Sequence, residues 1–380
     1  MDYLYQEHGQ YFAQVAHPTE ILGCDELSEL GATAVEEAYR GVQFSADAPT
    51  LRSIVYQARI PTRVLAPMRT FDCHSDRYLY KRARELDWMS LIGVEKTFAI
   101  FATVSHSRIR HSKYAALKLK DAIVDSIRDE TGSRPSVDRY NPDVSLNLHI
   151  DNNRATISLD ASGRSMHRRG YRIDALEAPI QETVAAAIIR MSEWKGDIPL
   201  LDPMCGSGTI LAEALMAAAK IPSGFLHDRF GFDQMPDFDA AAWKAQRKQV
   251  NGAIVPVEKG LISGSDIDPE AIRFAQKNLS MLPGSNSVEL RQMDFKNIEE
   301  FNSGVIVTNP PYGVRMGRGG GIETFYKSLG DFLKQKCTDS TAYIYVGKPE
   351  LLKSVGLRTK WKRELVNGAM EGRLGRYDLY

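Results

Sequence analysis

The residue types best suited to chemistry stand at the ends of apolar runs in the second half of the 380-residue chain. Val305-Ile306-Val307 leads into Thr308-Asn309-Pro310-Pro311-Tyr312-Gly313. An amine conjugated to an aromatic base is a poor nucleophile, because its lone pair is delocalised into the ring. With Pro311 fixing the turn, the Asn309 side-chain oxygen and the Pro310 carbonyl can both accept the amine hydrogens. That draws the nitrogen toward tetrahedral geometry. Tyr312 then offers a ring face on which an unstacked base can lie. No strong base is needed, since the nitrogen becomes acidic once alkylated, so the chemistry is alignment for in-line transfer. Asn309, Pro310, Pro311 and Tyr312 are the expected catalytic set.

An earlier apolar run, Ile198-Pro199-Leu200-Leu201, ends in Asp202-Pro203-Met204-Cys205-Gly206-Ser207-Gly208-Thr209 and opens a helix at Ile210. Gly206 and Gly208 remove side chains where a ligand would approach the backbone at a helix N-terminus. Taken alone, Gly-x-Gly suits a tight strand-to-helix turn equally well, and the third glycine of the dinucleotide fingerprint is replaced by Leu211. Two further acids change the reading. Gly264-Ser265-Asp266-Ile267-Asp268-Pro269 follows the next apolar run, where a carboxylate can accept from two ribose hydroxyls. Gln292-Met293-Asp294-Phe295 follows the one after, within reach of an adenine amine. Carboxylates at successive strand ends repel a pyrophosphate but suit a ligand with a sulfonium and an ammonium, namely S-adenosylmethionine. The expected cofactor set is Asp202, Pro203, Cys205, Gly206, Gly208, Thr209, Asp266, Ile267, Asp294, Phe295 and Asn309. Asp268 before Pro269 also reads as a helix N-cap.

These strand ends need a scaffold. From Ile198 onward, apolar strand, glycine turn and helix repeat as in a doubly wound, mostly parallel sheet. Ala342-Tyr343-Ile344-Tyr345-Val346 and a hairpin at Asn367-Gly368 predict an antiparallel edge. Upstream, Lys96–Val104, Val144–Ile150 and Arg154–Asp160 read as strands, with an amphipathic helix over Lys113–Glu130 and an Ala-rich one over Pro179–Met191. The expected architecture is α/β throughout: a small ferredoxin-like module over 1–65, a second α/β domain over 66–172, and a Rossmann-like domain over 173–380. The run Gly317-Arg318-Gly319-Gly320-Gly321 reads as a flap, and Arg315 as either a phosphate contact or a solvated side chain.

Composition narrows the classes. Hydrophobic residues at 43% and charged residues at 25% are those of a globular chain, not a disordered one. No stretch is apolar and long enough for a bilayer and no signal-peptide pattern opens the chain, so the expected location is the cytoplasm, with no membrane partner. Cys24, Cys73, Cys205 and Cys337 show no metal-ligand spacing, so reduced thiols and no metal are expected. Lys+Arg and Asp+Glu both total 48, so only local charge can mark a polyanion site. One acid-free basic cluster spans His106 to Lys120. A second holds Arg164, His167, Arg168, Arg169 and Arg172 around Tyr171, and these six residues are the candidate RNA contacts.

The Asn309-Pro310-Pro311-Tyr312 tetrapeptide resembles that of class I methyltransferases acting on planar amines. The stretches Lys118–Asp125, Arg134–Arg139 and Leu159–Arg172 are similar to a THUMP RNA-binding domain, placed here at 66–172. With Ala178–Thr183, Asp202–Thr209, Phe230-Gly231-Phe232, Trp243 and Asn367–Glu371, the chain resembles the 23S rRNA guanine-N2 methyltransferases of the RlmL type along nearly its whole length. The resemblance implies S-adenosylmethionine as cofactor, carried by Asp202, Asp266 and Asp294. It implies RNA as partner, in 23S rRNA or a large-subunit assembly intermediate, contacted by Arg164 to Arg172. Some members carry a second methyltransferase domain after the first, so a monofunctional enzyme is expected. The alternatives are a tRNA guanine-N2 methyltransferase, an adenine-N6 DNA methylase, and a catalytically inert RNA-binding assembly factor.

Overall fold

A computed structural model of the chain describes residues 3–174, 179–311 and 321–380. It divides into two compact units. One comprises Met1–Val15, Gly23–Met166 and His227–Arg247, the other Ala16–Leu22, His167–Leu226 and Lys248–Tyr380.

The first unit is built on one seven-stranded sheet of β1 (Gln10–Gln14), β2 (Thr33–Ala38), β3 (Gly41–Ser45), β4 (Arg63–Asp72), β5 (Phe98–Ser105), β6 (Val144–Asp151) and β7 (Arg154–Asp160), ordered β2-β3-β1-β4-β7-β6-β5. Only β5 and β6 pair in parallel. The boundary expected after residue 65 falls inside β4, which pairs with β1 on one side and β7 on the other. Pro67 hides this strand in the sequence. The sheet accommodates it at an irregularity, where the β4–β7 register shifts between Pro67 and Arg69, a position at which a missing N–H donor does least damage. The amphipathic helix expected over 113–130 runs over Ser112–Thr131.

Residues 227–247 also belong to this unit, although they lie within the expected 173–380 domain. Aromatic packing explains the assignment. Phe230 and Phe232 stack at 5.0 Å, and Trp243 meets the Tyr56 ring edge-on at 5.2 Å. Gly231 passes so close to β7 that a Cβ there would sit 1.8 Å from the Asp160 carbonyl oxygen, while the Phe232 N–H donates to Ala161 O at 2.8 Å. Only glycine fits that approach.

The second unit carries β8 (Leu200–Asp202), β9 (Ile262–Asp266), β10 (Glu289–Gln292), β11 (Val305–Thr308), β12 (Ser340–Val346), β13 (Trp361–Asn367) and β14 (Met370–Leu379), ordered β10-β9-β8-β11-β12-β14-β13. β10 through β12 are parallel, and β14 and β13 close the sheet antiparallel. The expected hairpin is present with its turn one residue on: Asn367 pairs with Met370, and Gly368 takes φ +65° at the first central position. Leu201, Ile306, Ile344, Phe295, Tyr326 and Leu329 fill one face of the sheet. Among the described residues no helix is long and apolar enough to cross a membrane.

Candidate active site

Strand order determines where chemistry can occur. From β8 the chain moves outward to β9 and β10, then returns to place β11 on the other side of β8. The crevice beyond the carboxyl ends of β8 and β11 is therefore the topological switch point, the usual ligand position in such sheets. Asp202 closes β8, and Asn309 follows directly on β11.

Asp202 is 1% exposed and accepts from the Met204 N–H at 3.2 Å. Burial pushes its carboxyl up to about 7; the Thr308 hydroxyl and the Met204 N–H oppose that rise, and the Asp266 charge adds to it. Next door, Gly206 adopts φ +53° and donates its N–H to Asp266 Oδ2 at 2.9 Å, while Asp266 Oδ1 accepts from Asp268 N at 3.0 Å. Gly208 sits at φ +81° as the N-cap of the helix Thr209–Ala218, and a Cβ there would meet Ala275 Cβ at 3.1 Å. Asp294 caps the short helix Phe295–Asn297 by accepting from Lys296 N at 3.0 Å. Asp268 is indeed an N-cap, accepting from Glu270 N at 2.9 Å.

Each ionised carboxylate oxygen has two lone pairs, so Asp266 and Asp294 keep acceptor capacity beyond these loop contacts. Asn309 Oδ1 is buried and, among the described residues, has no hydrogen-bond partner. A buried acceptor in this position has capacity for a donor. This donor set, rich in carboxylates and backbone N–H groups at a helix start, fits a cationic nucleoside without phosphates.

Other expected cofactor residues are brought to the same loops with different exposures. Cys205 and Thr209 are buried, and burial, followed by the Asp202 and Asp266 charges, holds the Cys205 thiol well above its usual range. Pro203 is buried too, whereas Ile267 is 64% exposed. The Phe295 ring points into the core, edge-on to Phe325 at 5.6 Å and to Phe332 at 5.7 Å, so only its backbone faces the loop side. Pro310 is buried and Pro311 half-buried. Tyr312, Arg315 and positions 317–320 of the expected flap lie outside the described residues, and Gly321 opens the helix Gly321–Lys336.

The basic cluster is where the sequence-based expectation needs correcting. Arg169 and Tyr171 are each 1% exposed. Arg169 Nε lies 3.3 Å from Glu213 Oε1, and the Tyr171 hydroxyl donates to the same oxygen at 3.2 Å. Glu213, 0% exposed in an apolar helix, requires a countercharge; Arg169 supplies it and the neutral Tyr171 hydroxyl adds a hydrogen bond, so neither side chain faces RNA. Arg172 turns inward as well. Its Nη2 donates to Ile180 O at 2.7 Å and to Thr209 Oγ1 at 3.0 Å. In the first unit Arg164 donates to Arg229 O and lies 3.0 Å from His227 Nδ1. Arg168 is exposed and His167 half-buried.

Three supporting residues were not singled out from sequence. Asn278, 1% exposed, donates to Ser207 O at 3.0 Å and to Asp174 O at 2.8 Å, tying the glycine loop to the chain before it. The Tyr326 hydroxyl approaches Pro311 O at 3.4 Å. Glu213 was legible in principle, as a lone acid in the run Thr209-Ile210-Leu211-Ala212-Glu213-Ala214-Leu215-Met216.

A doubly wound sheet with an antiparallel closing hairpin, a glycine loop after β8 and acids ending β8 and β9 defines a class I methyltransferase, whose methyl donor is S-adenosylmethionine. The chain belongs to the RMKL-like methyltransferase domain family, whose model matches residues 169–376, and a THUMP domain matches residues 74–160. A Synechocystis sp. protein named for RNA methyltransferase activity is 37% identical over 97% of both chains. The ribosomal RNA large subunit methyltransferase K/L of Syntrophotalea carbinolica is 35% identical over 97% of this chain, which spans only 53% of that longer relative. Among solved structures, SMU.472, crystallised with SAH, superposes with TM-score 0.84 at 26% identity over 98% of both chains. A Clostridium difficile 630 protein described as a methylase gives TM-score 0.85, also at 26% identity and 98% coverage of both.

Proposed function

We propose that the chain transfers a methyl group to the exocyclic N2 amine of a guanine in RNA, with the RNA of the large ribosomal subunit, 23S rRNA, as the target. The observation that carries the chemistry is the buried Asn309 Oδ1, without a partner among the described residues, at the end of β11 next to the strand that Asp202 closes. An amide oxygen in that position serves a donor, and an exocyclic amine is one. RNA as the substrate is supported by the THUMP domain match and by the names carried by the relatives.

In this reading S-adenosylmethionine supplies an electrophilic methyl group on its sulfonium. Asp266 and Asp294 would hold the nucleoside part of that cofactor, the first through its ribose hydroxyls and the second through its adenine amine. Gly206 and Gly208 let the backbone approach the ligand. Asn309 and Pro310 would accept the two amine hydrogens of guanine, and Pro311 stiffens the turn. The amine proton leaves to solvent once the nitrogen is alkylated. Of the second basic cluster, Arg168 is exposed on the surface and is the member proposed to meet RNA.

The test is nucleoside mass spectrometry after incubating purified protein and isotope-labelled S-adenosylmethionine with rRNA, tRNA and genomic DNA from a strain lacking the gene. Label in N2-methylguanosine of 23S rRNA is the expected result. Label in tRNA would move the target, N6-methyladenine in DNA would replace the substrate class, and no label in any would leave an RNA-binding factor.

A further inference from the structure

We propose that the outer edge of the methyltransferase sheet is an RNA-backbone contact surface, with the first residues of β13 flanking the target nucleotide and the basic loop before them continuing the surface along the edge. The inference rests on the RNA reading above and adds to it a surface within the second unit.

From Leu351 to Arg363 the chain carries Lys353, Arg358, Lys360, Lys362 and Arg363 and no acid. All five are exposed. Among the described residues, Lys353, Arg358, Lys362 and Arg363 make no ion pair; Glu364 pairs with Arg373 at 2.9 Å, Asp378 pairs with Arg376 at 2.9 Å and with Lys360 of the strip at 3.8 Å, and Glu193 acts on Tyr343 and Arg376. Trp361 is half-buried and carries the Arg363 guanidinium 4.8 Å above its ring, with the Tyr343 ring 5.9 Å away on the inner side. A cationic strip with an aromatic platform is the combination that binds a nucleic-acid backbone and a stacked base.

Register locates Trp361, Lys362 and Arg363, the first residues of β13, near the working end of the sheet, while the loop before them approaches from the side of the amino ends of the parallel strands. Val307 pairs with Tyr343, Tyr343 with Arg376, and Arg376 with Trp361, forming one row across β11, β12, β14 and β13. Thr308, Ile344, Gly375 and Lys362 form the next row, which places Arg363 at the level of Asn309. Three inter-strand steps of about 4.8 Å put the strip roughly 14 Å from β11, within two or three nucleotides of a base held at Asn309. Lysines on an edge strand also discourage edge-to-edge pairing. That role needs neither the three cations that precede β13 nor an arginine stacked on tryptophan.

The test neutralises three exposed cations, Arg358→Gln, Lys362→Gln and Arg363→Gln, and measures binding of deproteinised large-subunit rRNA across a salt series. A control triple, Lys244→Gln, Lys334→Gln and Lys336→Gln, removes equal charge from exposed positions elsewhere. At about 0.7 counterions released per single-strand phosphate, the edge triple should lower the log–log salt slope by about 2 and weaken binding about tenfold at 0.15 M salt, with SAH affinity and melting temperature unchanged. Equal losses in both triples, or an unchanged slope in the edge triple, would overturn the edge surface while leaving RNA as substrate. Failure of the unmutated protein to bind or methylate the RNA would overturn both.

Discussion

Arg169 and Glu213 form a buried ion pair, Nε to Oε1 at 3.3 Å, with the side chains 1% and 0% exposed. The pair joins the segment entering the methyltransferase unit to the helix that follows the glycine loop. A charged side chain read as an RNA contact is thus a structural member of the cofactor-binding fold. Removing one partner strands the other charge in a low-dielectric interior, which costs about 3–5 kcal/mol, whereas replacing both by apolar groups can be close to neutral. Arg169→Met and Glu213→Leu should each lower stability by about that amount in urea titration, and the double variant should recover most of it. Two additive losses would show that the pair is not a unit.

Asn309→Ala should remove the acceptor that polarises the amine and leave the rest of the site standing. By analogy with the removal of one polar group from a preorganised site, kcat should fall about 10²- to 10³-fold. SAH affinity by calorimetry and rRNA affinity by filter binding should stay within about twofold. A comparable loss of SAH binding would assign Asn309 to the cofactor instead of to the target amine.

Asp202 makes a prediction with a defined sign. Burial raises its carboxyl in the folded state to about 7, from the ordinary 3.8 of an exposed aspartate. Between those limits the folded state holds a proton that the unfolded state has lost. Its contribution therefore favours folding at low pH and is lost as pH rises through that window, becoming flat above about 7. Asp202→Asn should remove this downward trend, so that stability against urea between pH 5 and pH 7, two conditions on the order of the window's width, falls less in the variant than in the parent. An identical pH profile in both would show that Asp202 is already ionised in the fold.

Gly208 holds φ +81°, and a Cβ there would press on Ala275 at 3.1 Å. Gly208→Ala should destabilise the protein by about 1–2 kcal/mol from the left-handed backbone alone. It should also weaken SAH binding, because the loop around Gly206 must shift to relieve the contact. Calorimetry with SAH separates the two effects, and unchanged affinity would exclude the loop from the cofactor site.

The legible part of this protein is the part written locally. Asp202, Asp266 and Asn309 each stand immediately after or at the end of a short apolar run, and such a run buried in a parallel sheet must end at the sheet's carboxyl edge, so sequence order alone brings them together. The Asn367-Gly368 signal likewise needs only its own neighbours. Other features depend on partners distant in sequence. β4 is disguised by Pro67, which is tolerable only because β7 offers an irregular register opposite it. The segment 227–247 joins the first unit because Tyr56 and the Asp160 backbone receive its aromatics and Gly231, and no local pattern records that. Charge was the least legible of all, since an arginine's sequence neighbours do not reveal whether a buried glutamate is waiting for it.

Arg172 extends that correction to the cofactor. Its guanidinium donates to Thr209 Oγ1 at 3.0 Å and to Ile180 O at 2.7 Å, and lies 3.6 Å from Glu182 Oε2. Thr209 is the first residue of the helix whose N-terminus follows Gly208, so Arg172 clamps that helix start to the segment 180–182. A planar guanidinium can bridge these acceptors together, and an ammonium on a flexible stem cannot reproduce the geometry. Arg172→Lys, which keeps the charge, should therefore raise the SAH dissociation constant several-fold and leave rRNA affinity unaltered. The reverse outcome, weaker rRNA binding with SAH affinity intact, would return Arg172 to the RNA-contacting role its sequence context suggested.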